Sequence, residues 1–275
     1  MPKHRRHNKP PKLPVRVTPR EGGGLALEVG GVTQSIMLPA NEDEPTVAPT
    51  EIAETTGKAA GTDDAQDEHE AKLRALFGWP NTVEILGGAR KDDPALTAWG
   101  GQRLRYGYWE LLLPLPGAAC PQSALILGLG GGTVAALLAR RCPQVRMEGV
   151  ERDAEVVEIA TTRFGLVDIP HLMVIQADAF AWVAEQSSQP ERYDLICLDL
   201  FQGGVLTPGA LTTPFLRQLA ALLTPGGALT VNLLQTARTP DHLRRLEQIF
   251  TIEVILRLYG NVVVHCRRGG AKLSG

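Results

Sequence analysis

The chain is poor in cysteine. Four occur in 275 residues (Cys120, Cys142, Cys197 and Cys266), with no Cys-x-x-Cys pair, which argues against a zinc site and against a disulfide framework. No apolar run reaches the roughly 18 residues that a membrane-crossing helix needs, so no membrane partner is expected. The N-terminus is basic but broken by prolines, with no hydrophobic run after it, so no secretory signal is expected either. With these absences, a reducing, cytoplasmic compartment is the default. The net charge of −2 gives no global basic field for nucleic acid. A hydrophobic content of 44% with 21% charged residues fits a globular protein. The length suits one α/β domain plus an appendage.

Charge is unevenly placed. Residues 1–20 hold Lys3, Arg5, Arg6, Lys9, Lys12, Arg16 and Arg20, five prolines and no acid. They read as a disordered basic tail. With no aromatic residue between the charges, the tail is expected to be solvated rather than bound to nucleic acid. Residues 21–38 read as an N-terminal β-hairpin. Leu25, Leu27 and Val29 alternate with small or polar residues, Gly30-Gly31 make the turn, and Val32 to Leu38 return. Residues 39–70 carry ten acids against the single Lys58 and almost no large apolar residues, which reads as an acidic flexible linker.

The segment 71–275 reads as one Rossmann-like domain. A short helix is expected at 71–77, a strand over 82–86, and a helix within Trp99 to Leu113. From 124 the pattern repeats: strand 124–128 and helix 132–141, strand 145–150 and helix 153–163, strand 172–176 and helix 178–186. Strand 193–199 then leads through a loop to helix 212–223, and strand 228–234 to helix 239–249. Strands 251–258 and 261–267, joined at Gly260-Asn261, close the chain as a hairpin. Alternating strands and helices imply α/β architecture, a mostly parallel sheet with right-handed crossovers. One antiparallel strand is expected at its end.

Ligands of such sheets bind at the carboxyl ends of the strands. Four consecutive strand ends carry polar or glycine signals. Gly128, Gly130, Gly131 and Gly132 follow the first strand, where missing Cβ atoms allow close backbone approach to a ligand. Glu151 ends the second, 23 residues after Gly128, where a carboxylate accepts from both ribose hydroxyls. Asp178 follows the third, and is also placed to cap the next helix. Asp199 ends the fourth after an apolar run, where burial would be costly without a purpose. The third glycine of a Gly-x-Gly-x-x-Gly dinucleotide fingerprint is missing. Two further carboxylates would repel a pyrophosphate and suit a cation better, such as the sulfonium of S-adenosylmethionine.

On these residues the chain resembles the class I S-adenosylmethionine-dependent transferases, whose Leu-x-Pro-Gly-Gly is similar to Leu223-Thr224-Pro225-Gly226-Gly227. Within them it is similar to the spermidine synthase (polyamine aminopropyltransferase) family. The similarity covers about residues 24–38 and 100–267 and lies in Gly30-Gly31-Val32-Thr33-Gln34, Gly130-Gly131-Gly132, Val150-Glu151, Asp178-Ala179 and Tyr193-Asp194 through Asp199. The resemblance implies a seven-stranded class I methyltransferase fold. It implies that Glu151 binds the ribose, that Asp178 with Ala179 receives the adenine amino group, and that Gln34 reaches the adenosyl group from the hairpin. Asp199 would be the base for an attacking amine, with Tyr106 or Tyr108 as the family's tyrosine. It further implies decarboxylated S-adenosylmethionine or S-adenosylmethionine as co-substrate, no metal, a polyamine-type amine acceptor and a homodimer. The family's Asp-Ser-Ser-Asp-Pro is here Asp199-Leu200-Phe201-Gln202-Gly203, with one acid fewer and two large apolar side chains. Methyl transfer on the same fold is therefore the second expectation, and a non-catalytic adenosyl-binding or scaffold protein the third.

Overall fold

A computed structural model of the chain describes residues 14–19, 25–29, 32–36, 82–84, 107–186, 190–258 and 260–269. The expected acidic linker, the helix at 71–77 and Tyr106 lie outside these residues.

Three short strands come first: β1 (Val15–Pro19), β2 (Leu25–Val29) and β3 (Val32–Ile36), paired antiparallel in that order. The hairpin of the sequence reading is therefore a three-stranded sheet. Val15–Pro19, placed in the disordered tail, pairs with β2 from Val15↔Val29 to Pro19↔Leu25. The basic composition hid a period-two pattern in which Val15 and Val17 turn inward while Arg16 is exposed.

Among the described residues the main sheet contains eight strands. In chain order they are β4 (Thr82–Glu84), β5 (Ser123–Leu127), β6 (Arg146–Glu151), β7 (Leu172–Gln176), β8 (Tyr193–Leu198), β11 (Leu223–Leu234), β12 (Phe250–Leu258) and β13 (Asn261–Arg268). A two-stranded hairpin, β9 (Phe201–Gln202) with β10 (Val205–Leu206), stands apart directly after β8. The spatial order in the main sheet is β4-β12-β13-β11-β8-β5-β6-β7. The antiparallel strand β13 is thus interior, between β11 and β12, rather than at the end of the sheet as expected. A hairpin can enter a sheet by either strand, and local sequence does not say which.

The described helices are α1 (Tyr108–Leu111), α2 (Thr133–Arg141), α3 (Ala154–Arg163), α4 (Ala179–Glu185), α5 (Thr213–Leu222) and α6 (Thr239–Glu247). Each of α2 to α6 falls within about two residues of its expected span, which is the ordinary uncertainty of a helix end. Alternate residues of the central strands feed two cores. Ala124 and Ile126 join Leu195, Cys197 and the apolar faces of α1 and α2 on one side. Leu125 and Leu127 join Ile196, Leu198 and residues of α4, α5 and α6 on the other. Burial on both faces explains why these strands read as continuous apolar runs. The N-terminal sheet packs on α3, with Leu27 against Val156 and Phe164.

Cys120 and Cys142 form a disulfide, where the scattered cysteines argued against a disulfide framework. Their spacing follows no common motif. The bond arises because the loop before β5 and the end of α2 meet in space, where Arg141 also donates to the Leu115 carbonyl at 2.9 Å. The compartment expectation loses the support it drew from unpaired thiols. Cys197 and Cys266 are free and buried. Closing a loop between cysteines 22 residues apart stabilises by about 3 kcal/mol through loss of unfolded-chain entropy. Cys120→Ser/Cys142→Ser is therefore expected to lower the urea midpoint, and added reductant should do the same to the parent. A midpoint insensitive to reductant would remove the bond from the stability of the fold.

No helix among the described residues is long and apolar enough to cross a membrane.

Candidate active site

A cleft opens at the carboxyl ends of β5, β6, β7 and β8. Its lining includes Gly128, Gly130, Glu151, Arg152, Asp178, Ala179, Phe180, Asp199, Leu200, Phe201 and Thr207. The strand-end residues named from the sequence, Gly128, Gly130, Glu151, Asp178 and Asp199, are thus brought to one place. Gly131 and Gly132 continue the turn into α2, with Gly132 at its N-cap. Gln34 lies in β3, and its side chain is outside the described residues.

The glycine turn is shaped by strand geometry. Gly128 and Leu129 both donate to the Val150 carbonyl at 3.0 Å, and Asp199 N donates to the Leu127 carbonyl at 2.9 Å. The ends of β6, β5 and β8 are thereby fixed side by side. Gly128 has φ of +88°, a conformation that an L side chain rarely adopts. Glu151 spans the turn: one carboxylate oxygen accepts from Gly130 N at 3.0 Å and the other from Asp153 N at 3.0 Å. It is not the cap of α3. Asp153 fills that place by accepting from Glu155 N at 3.0 Å.

Asp178 does cap α4. Its Oδ1 accepts from Phe180 N at 3.0 Å and Ala181 N at 3.1 Å. Its Oδ2 makes no such bond among the described residues, so capping leaves one oxygen of this cleft-lining residue for a ligand.

Asp199 is held from two sides. Its Oδ2 accepts from the Tyr108 hydroxyl at 3.2 Å and its Oδ1 from Asn232 Nδ2 at 2.8 Å. Burial raises its pKa to about 6, while the Asn232 and Tyr108 hydrogen bonds pull in the opposite direction. Burial, then the adjacent Asp199 charge, push the Tyr108 hydroxyl well above its ordinary value. Tyr108 therefore remains a phenol and donates. Of the two candidate tyrosines, Tyr108 is the one seen to reach Asp199.

The placement of Tyr108 depends on a helix of only four residues, anchored from below. Thr230 Oγ1 donates to the Leu112 carbonyl at 2.9 Å, and the Cys197 thiol reaches the same oxygen at 3.5 Å. His265 Nε2 lies 2.6 Å from the Leu111 carbonyl and donates to it. Burial lowers the His265 pKa to about 4. A neutral imidazole, a hydroxyl and a thiol thus satisfy the carbonyls that the short helix leaves open. Asn232, Thr230 and His265 escaped the sequence reading. The available signal was a polar residue inside an otherwise apolar buried strand, as in Thr230-Val231-Asn232-Leu233-Leu234.

Asp194 belongs to the opposite end of the sheet. Its carboxylate accepts from Gln122 N at 2.9 Å, Ser123 N at 3.2 Å and Thr224 Oγ1 at 3.0 Å. The Tyr-Asp pair that begins β8 is accordingly structural.

No family model matches the chain. The polyamine aminopropyltransferase of Vibrio vulnificus is 34% identical over 122 residues, 44% of this chain and 41% of that protein. The crystal structure of a probable spermidine synthase from Corynebacterium glutamicum superposes with a TM-score of 0.56 at 18% identity, over 92% of this chain and 76% of that one. The chain is thus similar in sequence to a polyamine aminopropyltransferase over part of its length and shares its fold with a probable spermidine synthase. The chain is also 29% identical, over 162 residues, to the eEF1A lysine and N-terminal methyltransferase of Danio rerio, covering 54% of this chain and 24% of that protein. It spans less than half the length of these curated relatives. The relatives are named for two kinds of transferase, and both act on amines by those names. The structural likeness establishes the fold, the mostly parallel central sheet anticipated from the strand and helix alternation.

Proposed function

We propose that this chain transfers an aminopropyl group from decarboxylated S-adenosylmethionine to an amine, with Asp199 as the base. The observation that carries the proposal is the Asp199 carboxylate, held by Tyr108 and Asn232 beside the glycine turn, in the cleft that Glu151 and Asp178 also line.

The residues fit an adenosyl sulfonium. Gly128 lets the glycine turn lie against the Asp199 backbone, an approach that a Cβ would prevent, since that atom would lie 2.9 Å from the Asp199 carbonyl carbon. Glu151 supplies carboxylate oxygens for the ribose hydroxyls, and Asp178 Oδ2 an acceptor for the adenine amino group. Three carboxylates (Glu151, Asp178, Asp199) and one guanidinium (Arg152) line the cleft, an excess that favours a cation. The same excess disfavours the extra carboxylate of intact S-adenosylmethionine.

When bound, the co-substrate supplies an electrophilic carbon and a neutral thioether leaving group. Asp199 accepts the proton of the acceptor ammonium and orients the freed lone pair towards that carbon. The new N–C bond forms as the C–S bond breaks, and sulfur keeps the pair. Alignment supplies much of the rate, because the amine is held at attacking distance. Tyr108 holds the carboxylate plane from the side away from Asn232.

Methyl transfer is the second reading, favoured by the Danio rerio relative and by the apolar Leu200 and Phe201 in the cleft wall. Calorimetric titration with each form of the co-substrate separates the two. The decarboxylated form is expected to bind roughly tenfold tighter or more, a difference of about 1.4 kcal/mol. Addition of putrescine should then release methylthioadenosine. Tighter binding of intact S-adenosylmethionine would replace the proposal with methyl transfer, and binding of neither would overturn the adenosyl assignment.

A further inference from the structure

We infer that Asn232 and Asn261 are positioning residues for Asp199, forming a two-amide relay that aims its carboxylate into the cleft from the turn between β12 and β13. The inference rests on Asp199 being the base. It goes further by assigning the aim of that base to the antiparallel hairpin inserted in the sheet.

The relay follows from register. Leu198 of β8 pairs with Val231 of β11, so the next residues along, Asp199 and Asn232, come side by side. Asn232 in turn pairs with Val263 of β13. Asn261 is two residues before Val263, hence on the same face and diagonal to Asn232, within reach of a side-chain bond. Asn261 Nδ2 donates to Asn232 Oδ1 at 3.0 Å, and Asn232 Nδ2 donates to Asp199 Oδ1 at 2.8 Å. The first bond decides the second. An amide whose oxygen is occupied by a donor must present its NH2 to its other neighbour. Asn261 thus fixes Asn232 in the one orientation that serves a carboxylate. The turn carrying Asn261 is itself tied to β11, because Gln235 N donates to the Gly260 carbonyl at 2.8 Å.

An amide donor is what this place requires. Asn232 is 1% exposed, and a charged donor there would itself need burial and a partner. The neutral amide favours the ionised form of Asp199 without adding charge. The other groups around Asp199 do not substitute for it. Tyr108 of α1 donates to the opposite oxygen. Cys197 of β8 stays a thiol, its pKa raised to about 12 by burial. Glu151 and Asp178 face the same cleft with like charge, and Arg152 sits beside Glu151 in its wall.

The test compares Asn232→Ala and Asn261→Ala with the parent by two readouts. One is the pH profile of kcat/KM with decarboxylated S-adenosylmethionine and putrescine. The other is the Asp199 carboxyl titration followed by 13C NMR, assigned with Asp199→Asn. Loss of a hydrogen bond to the charged form raises the carboxyl pKa, by about one pH unit for Asn232→Ala and less for Asn261→Ala. The acid limb of the profile should move by the same amount, with kcat lowered about tenfold and co-substrate affinity unchanged. Asn261 is only half-buried, so its variant keeps the question open to measurement if Asn232→Ala fails to fold. An Asp199 titration that moves in neither variant overturns the inference. A titration that moves in a chain that turns over no amine supports the relay and rejects the reading of Asp199 as base.

Discussion

Asp199→Asn is expected to lower turnover by ~10²–10⁴-fold, the usual worth of a positioned general base, while adenosyl co-substrate still binds. Asparagine keeps the shape of the side chain and its bond from Asn232, but its amide cannot take a proton from an ammonium. The pH dependence identifies the cause. The parent should gain activity as pH rises through about 6, where the Asp199 carboxyl ionises, and the variant should lose that limb. Stability runs in the opposite sense. Burial has raised this carboxyl above its ordinary value, so the folded chain holds more protons than the unfolded one between that value and about 6. Ionisation therefore costs the fold stability as pH rises through that window. Asp199→Asn removes the cost, and at pH 7 to 8 the variant should melt at or above the parent temperature. Loss of activity with a raised or equal melting temperature assigns the effect to chemistry. Equal activity in the variant would end the role of Asp199 as base.

The parts legible in the sequence were those written in local periodicity. Strand and helix alternate from 123 onward because central strands such as β5 and β8 are apolar runs closed by a glycine or an acid, and the helices between the strands carry an apolar face. The four strand ends converge because parallel strands place their carboxyl ends on one edge, so Gly128, Glu151, Asp178 and Asp199 needed no long-range information to be found together. What escaped was set by pairing between distant segments. The insertion of β13 beside β11 depends on which strand of a hairpin enters the sheet, and Asn261 gains its meaning only from that choice. Cys120 and Cys142 meet because a loop packs on the end of α2, which no spacing rule encodes. The β9–β10 hairpin is marked in the sequence by Gly203-Gly204 between Phe201-Gln202 and Val205-Leu206, but two-residue strands fall below the length at which alternation is a signal. Val15 and Val17 were masked by the basic composition around them.

Gly128→Ala is expected to remove roughly 3 kcal/mol or more of stability, from a left-handed conformation and from overpacking together. Its φ of +88° is strained for alanine wherever it occurs. The steric cost is specific to this site. The new Cβ would sit inside the envelope of the Asp199 carbonyl oxygen, 2.9 Å from its carbonyl carbon and 3.5 Å from Leu200 Cδ2. Neither backbone can retreat easily. β5 is hydrogen-bonded between β6 and β8, and the Asp199 N to Leu127 O bond at 2.9 Å ties the two chains at the point of collision. Gly226→Ala separates the two costs. Gly226 has φ of +75°, but a Cβ there meets nothing within 4 Å, so its variant should lose only the conformational part, about 1–2 kcal/mol. Urea unfolding of the two variants measures the difference. The same collision pushes on the backbone of Asp199, so Gly128→Ala should also lose adenosyl binding and turnover even where the chain remains folded. Equal destabilisation in the two variants would mean that β5 and β8 are free to part at this point. The close approach of the glycine turn to Asp199, on which the site geometry depends, would then be wrong.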